Sequence, residues 1–319
     1  MEQADYTELL DAEIRAFIAE TDSYYPPDAV DHSIAEQRRV YDRMCRAFFA
    51  GYPAGVSARD TTVAAPDGHP VAIRSYTSAG QAAAAAVLYL HGGGFVVGGL
   101  DSHDDVCAEI CYRTGFDVVS VDYRLCPEHL HPAAFNDAMA AWQYLRAATD
   151  LPIVLAGDSA GGNLAAALAH MTRGAPTPPV GQVLIYPGLG GDMDSGSYLA
   201  HADAPMLKRR DLVFYKDLRS GGQDLAGDAS YAPLWDTDFS GLPPTFVASA
   251  ECDPISDDGD VYARRIRAAG GQAVWLNDRG LVHGHLRARH GSVRAAQSFD
   301  RIVAAIDSLG RAGKLPRGA

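Results

Sequence analysis

Between residue 61 and residue 276 eight short apolar runs recur, and helix-like segments separate most of them. The runs are Thr61–Ala65, Pro70–Tyr76, Val87–Leu90, Val118–Val121, Ile153–Ala156, Val183–Tyr186, Thr245–Ala248 and Ala273–Leu276. The helical segments are about His103–Thr114, Ala133–Thr149, Gly162–Arg173 and Asp258–Ala269. Strands that alternate with helices predict an α/β chain with an eight-stranded, mostly parallel sheet and helices on both faces. The first two runs flank Asp67-Gly68, a hairpin signal, so one strand near the sheet edge runs antiparallel. At 319 residues the chain exceeds the usual domain length, but α/β enzymes often run this long as one unit.

Two regions lie outside this rhythm. Residues 1–50 read as helical: Leu9, Leu10, Ile14, Phe17 and Ile18 recur at helical spacing, and a second segment covers Ile34 to Phe49. Tyr24-Tyr25-Pro26-Pro27 separates the two. Residues 188–235, between the sixth and seventh strands, hold a helical piece from Lys208 to Leu218 among glycines, aspartates and prolines. An insertion of that length is usually functional or a lid. The body of the domain is then 51–187 and 236–319. The only low-complexity tract is the alanine-rich Gln81–Ala86.

The chemistry centres on Gly157-Asp158-Ser159-Ala160-Gly161, which follows a strand directly and precedes a helix. A Gly-x-Ser-x-Gly pentapeptide in that context makes a sharp nucleophile elbow: small residues let neighbouring chains approach, and the serine hydroxyl is lifted above the sheet edge. The helix start behind it favours negative charge. His91-Gly92-Gly93-Gly94-Phe95, at the end of the third strand, leaves backbone N–H groups uncovered to converge on a developing oxyanion. It carries neither of the glycine-rich phosphate-binding patterns.

A serine nucleophile needs a base, and the base an orienting acid, in the order serine, acid, histidine. His170 lies in the helix after the elbow and His201 in the insertion, which leaves the segment past the eighth strand. There His283 is preferred, since Gly284 permits a tight loop; His285 and His290 are the alternatives. The acid follows the seventh strand. Asp253, in the turn Cys252-Asp253-Pro254, is preferred over Glu251, Asp257, Asp258 and Asp260, because acids at a helix start are favourable for structural reasons alone. His283-x-His285 has no accompanying ligand set for a metal.

Together these residues resemble the hormone-sensitive-lipase-like family of bacterial carboxylesterases. Val121-Asp122-Tyr123-Arg124-Leu125-Cys126-Pro127-Glu128-His129 is similar to the family's stretch after the fourth strand. Ser240-Gly241-Leu242-Pro243-Pro244-Thr245, with Ala250-Glu251-Cys252-Asp253-Pro254, is similar to the run leading to its acid. The resemblance covers roughly residues 60–305. It implies an α/β-hydrolase fold under a helical cap made of segments 1–50 and 188–235. It also implies cofactor-free hydrolysis of carboxylic esters, with Ser159, Asp253 and His283 as triad. The N–H groups of Gly93, Gly94 and Ala160 would form the oxyanion hole, with His91 a support for the glycine loop. Gly92, Gly157, Asp158 and Gly161 complete the motifs. The chain departs from the family pattern at His285, where phenylalanine is frequent, at His131, where an aromatic is more usual, and at Cys126, where alanine is common.

A peptidase, amidase or lactone hydrolase would use the same triad; a ligand-binding protein on an inactive scaffold would usually lack one of its members. The Asp- and Gly-rich insertion argues against a lipid-droplet lipase and for short acyl chains, about two to six carbons. Tyr24, Tyr25, Phe95 and Phe214 either bound the pocket or pack between cap and body. A net charge of −13 argues against nucleic acid and anionic membranes as partners. Residues 1–20 hold acids and no apolar core of a leader, and no apolar run is long enough to span a bilayer. Five sparse cysteines, Cys107 and Cys111 read as core, suit a reducing, cytoplasmic compartment. A homodimer through a sheet edge or the cap is compatible with such a fold.

Overall fold

The third and fifth strands, β3 (Ala86–Leu90) and β5 (Ile153–Asp158), are buried at every position. Such strands read as unbroken apolar runs, because helices cover them on both sides. The computed structural model describes residues 4–26, 32–80 and 82–316, so Pro27 of the expected break and Gln81 of the alanine-rich run lie outside the described residues. The remaining strands are β1 (Val56–Ala64), β2 (Pro70–Ser78), β4 (Asp117–Asp122), β6 (Gly181–Ile185), β7 (Thr245–Cys252) and β8 (Ala273–Val282). They form one sheet in the order β1-β2-β4-β3-β5-β6-β7-β8. β2 pairs antiparallel with both β1 and β4, and every pair from β4 to β8 is parallel. The expected single antiparallel strand near the edge is therefore β2.

Period-two alternation sorts the strand residues onto two cores. Leu88, Leu90 and Leu155 face one side, against Trp142 of α5 (Ala133–Ala148), Leu164 and Leu168 of α6 (Ala160–Thr172) and Ile266 of α9 (Ser256–Ala268). Val87, Tyr89, Val154 and Ala156 face the other side, against Ile110 of α4 (Asp104–Thr114) and Phe299, Ile302, Ile306 and Leu309 of α10 (Val293–Ala312). All five cysteines are free and buried.

Among the described residues, three helices precede the sheet: α1 (Tyr6–Leu9), α2 (Ala12–Asp22) and α3 (Ile34–Ala47). Asp11 caps α2 through the Ile14 N–H, and Ser33 caps α3 through the Glu36 N–H. Ile14 and Phe17 of α2 pack on Ala250, Cys252, Leu281 and Val282 at the ends of β7 and β8. The insertion holds α7 (Gly196–Ala200) and α8 (Arg209–Ser220). In a parallel sheet the carboxyl ends of the strands lie along one edge, and the loops that leave them meet there.

Candidate active site

At the end of β5 the chain turns abruptly. Ser159 adopts φ 54° and ψ −117°, a conformation that L side chains rarely take. The turn has no room for side chains on its glycines. A Cβ on Gly161 would lie 1.9 Å from the Leu90 carbonyl oxygen, and one on Gly157 would lie 2.4 Å from that of Gly161. A Cβ on Gly93, at φ 131°, would fall 2.1 Å from the Val97 carbonyl oxygen.

Asp158 ties the serine turn to the glycine loop. Its carboxylate accepts from the Tyr89 hydroxyl at 2.9 Å, the Gly92 N–H at 3.0 Å and His103 Nε2 at 3.2 Å. Burial pushes this carboxyl up, but His103 and the hydrogen bonds from His103 and Tyr89 outweigh burial and hold it below the usual range. His91 lies beneath the same loop, stacked on Tyr123 at 4.2 Å, with Nδ1 2.8 Å from the Gly92 carbonyl oxygen. Burial, with His103 nearby, pushes its ring down to about 4, so it is neutral at pH 7. A neutral ring bonded within the glycine loop is a support.

His283 follows β8 directly. Its Nε2 lies 2.8 Å from Ser159 Oγ, and its Nδ1 lies 2.7 Å from Asp253 Oδ2. The buried Asp253 carboxylate only accepts, so Nδ1 carries the proton and Nε2 is left to accept from the hydroxyl. Asp253 Oδ1 is fixed by the Ile255 N–H at 3.1 Å. A hydroxyl bonded to an imidazole with a carboxylate on its far side is the arrangement in which the imidazole takes the hydroxyl proton. Gly93, Gly94 and Ala160 border Ser159 in the cleft. Their N–H groups donate to no acceptor among the described residues, Ala160 because it opens α6.

The other candidates are occupied elsewhere. His285 is buried, bonded to the Val282 carbonyl oxygen and to Ser298 Oγ at 3.0 Å each, so it neither lines the cleft nor touches Ser159. His290 meets Glu109, His170 meets Asp236, and His201 Nδ1 lies 3.1 Å from the Tyr6 hydroxyl. Glu251 accepts from the Gly280 N–H, Asp257 from that of Ser197, Asp258 from that of Leu189, and Asp260 pairs with Arg264. His131 bonds Asp228 at 3.0 Å, away from the triad geometry. Among the described residues, no group of three or more His, Cys, Asp or Glu is placed to hold a metal ion.

Ser159 and His283 open onto a cleft of about 650 Å³, within the usual range for small-molecule sites. α3 lends Val40, Tyr41 and Met44 to its wall, and α8 lends Leu212, Tyr215 and Arg219. Of the four aromatics singled out in the sequence, Tyr25 and Phe95 line the cleft, Tyr24 does not, and Phe214 points outward on α8, 40% exposed. Tyr41, Tyr215, Arg219 and Arg287 also line the cleft and carry no motif; only Arg287, four residues past His283, is near one in sequence.

The family profile for the α/β-hydrolase fold matches residues 87–287. Carboxylesterase NlhH of Mycobacterium tuberculosis is 39% identical over 231 residues, covering 69% of this chain and 72% of that one. Carboxylic ester hydrolase LipN of the same organism is 35% identical over 294 residues, 87% of this chain and 77% of that one. A bacterial heroin esterase superposes with a TM-score of 0.87 at 30% identity, over 96% of this chain and 99% of the other. A hyperthermophilic esterase from the archaeon Pyrobaculum calidifontis gives 0.85 at 30% identity, over 95% and 99%.

Proposed function

The chain belongs to the hormone-sensitive-lipase-like branch of the α/β-hydrolase family, and from that premise we propose that it is a serine carboxylesterase acting on small, short-chain esters. The observation that carries the reading is the relay from Ser159 Oγ through His283 to Asp253, with steps of 2.8 and 2.7 Å. In the proposed reaction His283 takes the Ser159 proton as the oxygen attacks the ester carbonyl. The N–H groups of Gly93, Gly94 and Ala160 hold the oxyanion; loss of one such donor costs about 100- to 1,000-fold in rate. His283 then protonates the departing alcohol, Asp253 steadies the imidazolium, and water repeats the sequence to free the acid. The relatives named above as carboxylesterase and carboxylic ester hydrolase support ester chemistry over the peptidase, amidase or lactone alternatives.

The cleft walls support a cap built from segments 1–50 and 188–235 over a body of 51–187 and 236–319. Free, buried cysteines support a cytoplasmic enzyme; among the described residues no helix is long and apolar enough to cross a membrane. A homodimer through a sheet edge or the cap belongs to the same proposal.

The test is Ser159→Ala assayed on p-nitrophenyl acetate and butyrate beside an aminoacyl p-nitroanilide. Ester turnover in the parent exceeds anilide turnover, and the variant loses about 10⁴-fold or more in kcat. Intact ester turnover in the variant would remove Ser159 as nucleophile.

A further inference from the structure

This chain commonly pairs its buried and half-buried guanidiniums with carboxylates. Arg289 meets Asp105 at 2.6 Å and Glu109 at 2.8 Å; Arg124 meets Asp137 and Asp67 at 2.7 Å each; Arg74 meets Asp60 at 2.7 Å and Asp101 at 2.9 Å. Acids are in surplus, 40 against 27 basic residues. Arg219 and Arg287 lack such a partner and both line the cleft that holds Ser159, whereas Arg146, which also lacks one, lies away from the cleft on the Thr149 and Leu151 carbonyl oxygens. Neither forms an ion pair among the described residues, although an unpaired buried charge is expensive.

Their surroundings differ. Arg219 lies 3.6 Å over the Phe95 ring and 4.3 Å from that of Tyr231, and donates to the Tyr231 carbonyl oxygen and to Asn163 Oδ1. Neutral acceptors and rings engage it on several sides. Arg287 hydrogen-bonds only through Nη2, to the Tyr41 hydroxyl at 2.8 Å and Cys45 Sγ at 3.1 Å, and one ring, that of Tyr41, lies 5.1 Å away. Its Nε is buried with no acceptor, and Nη1 has none among the described residues. The carboxylates on the cleft wall make no direct bond to Arg287: Asp158 acts on it only through space and spends its hydrogen bonds on the glycine loop, and Asp211 caps α8 through the Lys208 N–H at 2.9 Å. Asp22 stands exposed at the end of α2. The chain has three lysines, and two of them, Lys208 and Lys216, stand on this same cleft. A molecule of net charge −13 thus gathers cations where its substrate enters.

We propose that the preferred ester carries a carboxylate beside its reacting carbonyl group, and that Arg287 is the specificity-determining residue that receives it. The proposal rests on the ester-hydrolase reading and deepens it. A bound carboxylate supplies the acceptor that the guanidinium lacks, in a place where water competes weakly and charge-assisted hydrogen bonds are strong.

The test compares two matched pairs of esters by pH-stat. Monoethyl succinate against ethyl pentanoate carries the charge on the acyl side; 3-acetoxypropanoate against butyl acetate carries it on the alcohol side. The wild type favours the charged member of at least one pair about tenfold or more in kcat/KM, and Arg287→Met lowers that ratio about 10- to 100-fold. Arg287→Lys, which keeps the charge without the planar fork, retains part of the preference. Raising salt from 50 to 500 mM weakens turnover of the charged ester more than that of its neutral partner. A wild type that favours the neutral member of both pairs overturns the proposal. So does a parallel loss on both members in Arg287→Met, which would make Arg287 only a clamp on α3. If the wild type turned over none of the four, the ester-hydrolase reading itself would fall.

Discussion

Asp258 accepts hydrogen bonds from the Leu189 N–H at 2.6 Å, the Gly191 N–H at 3.3 Å and the Tyr198 hydroxyl at 3.1 Å, and no cation pairs with it among the described residues. Its place in the first turn of α9 suggests a carboxylate serving that helix. Instead it anchors the chain where the insertion leaves β6. Burial pushes its carboxyl up to about 7, against the three donors, which pull it down. Below pH 4 the folded and unfolded chains both hold this proton. Between about pH 4 and 7 only the folded chain holds it, so the group's contribution to stability falls as pH rises through that window and is level above it. Asp258→Asn does not titrate. The difference in unfolding free energy between the parent and Asp258→Asn should therefore shrink by about 3 kcal/mol from pH 5 to pH 8. Urea unfolding across that range measures it, and a constant difference would show that the carboxylate stays ionised. At this scale the hydrogen-bonded meeting of Ser159, His283 and Asp253 could be read from the sequence, because an elbow, a glycine loop and a chain order are local signals. Arg287 could not, since its significance lies in what it lacks, a carboxylate partner, and that emerges only when Cys45, Tyr41 and Arg287 meet across 242 and 246 positions of sequence.

Element boundaries predicted from apolar runs stop where polarity rises. The last apolar run predicts a strand end at Leu276, but β8 continues through Asn277, Asp278 and Arg279 to Val282, one residue before His283. It is an edge strand, so polar side chains are tolerated along it, and Asp278 finds Arg301 at 2.5 Å. α3 shows how an added helix is held to the body. Arg38 donates to the Val96 and Cys126 carbonyl oxygens at 2.8 Å each, and grips Glu128 through two bonds of 2.9 and 2.7 Å. Glu128 is half exposed, so the ion pair contributes little. The two backbone bonds contribute about 1 kcal/mol each. α3 places Val40, Tyr41 and Met44 on the cleft, whereas Ser159, Asp253 and His283 stand on strand ends that α3 does not carry. Arg38→Met should accordingly raise KM for a neutral short ester roughly five- to thirtyfold, the factor that 1–2 kcal/mol of lost anchoring gives, and move kcat far less. An equal fall in kcat would mean that α3 also orders the catalytic groups.

Across the whole molecule the parallel sheet was the most legible feature, because strands buried on both faces carry an uninterrupted apolar signature. The helix that closes one face was not among the expected elements. α10 spans Val293–Ala312, after the last motif, yet Phe299, Ile302, Ile306 and Leu309 repeat at helical spacing, a signal open to a periodicity search. The sheet is shaped to receive it: a Cβ on Gly181 of β6 would lie 2.7 Å from Leu309, and one on Gly310 would lie 2.3 Å from Phe116. Those four side chains are at most 1% exposed. Burying each contributes about 1.5–3 kcal/mol, so together they supply about 6–12 kcal/mol, close to the whole net stability of a typical domain at about 5–15 kcal/mol. Removing the helix would also bare Val154, Val183 and Phe246 on the sheet, an apolar face with nothing to cover it. A chain ending at Ser292 keeps Ser159, Asp253 and His283 and should still lose its cooperative thermal transition by circular dichroism, and its esterase activity with it. A truncated chain that melts cooperatively and turns over p-nitrophenyl butyrate would show that the second core stands without α10, and that the sheet's other contacts are far stronger than this burial arithmetic allows.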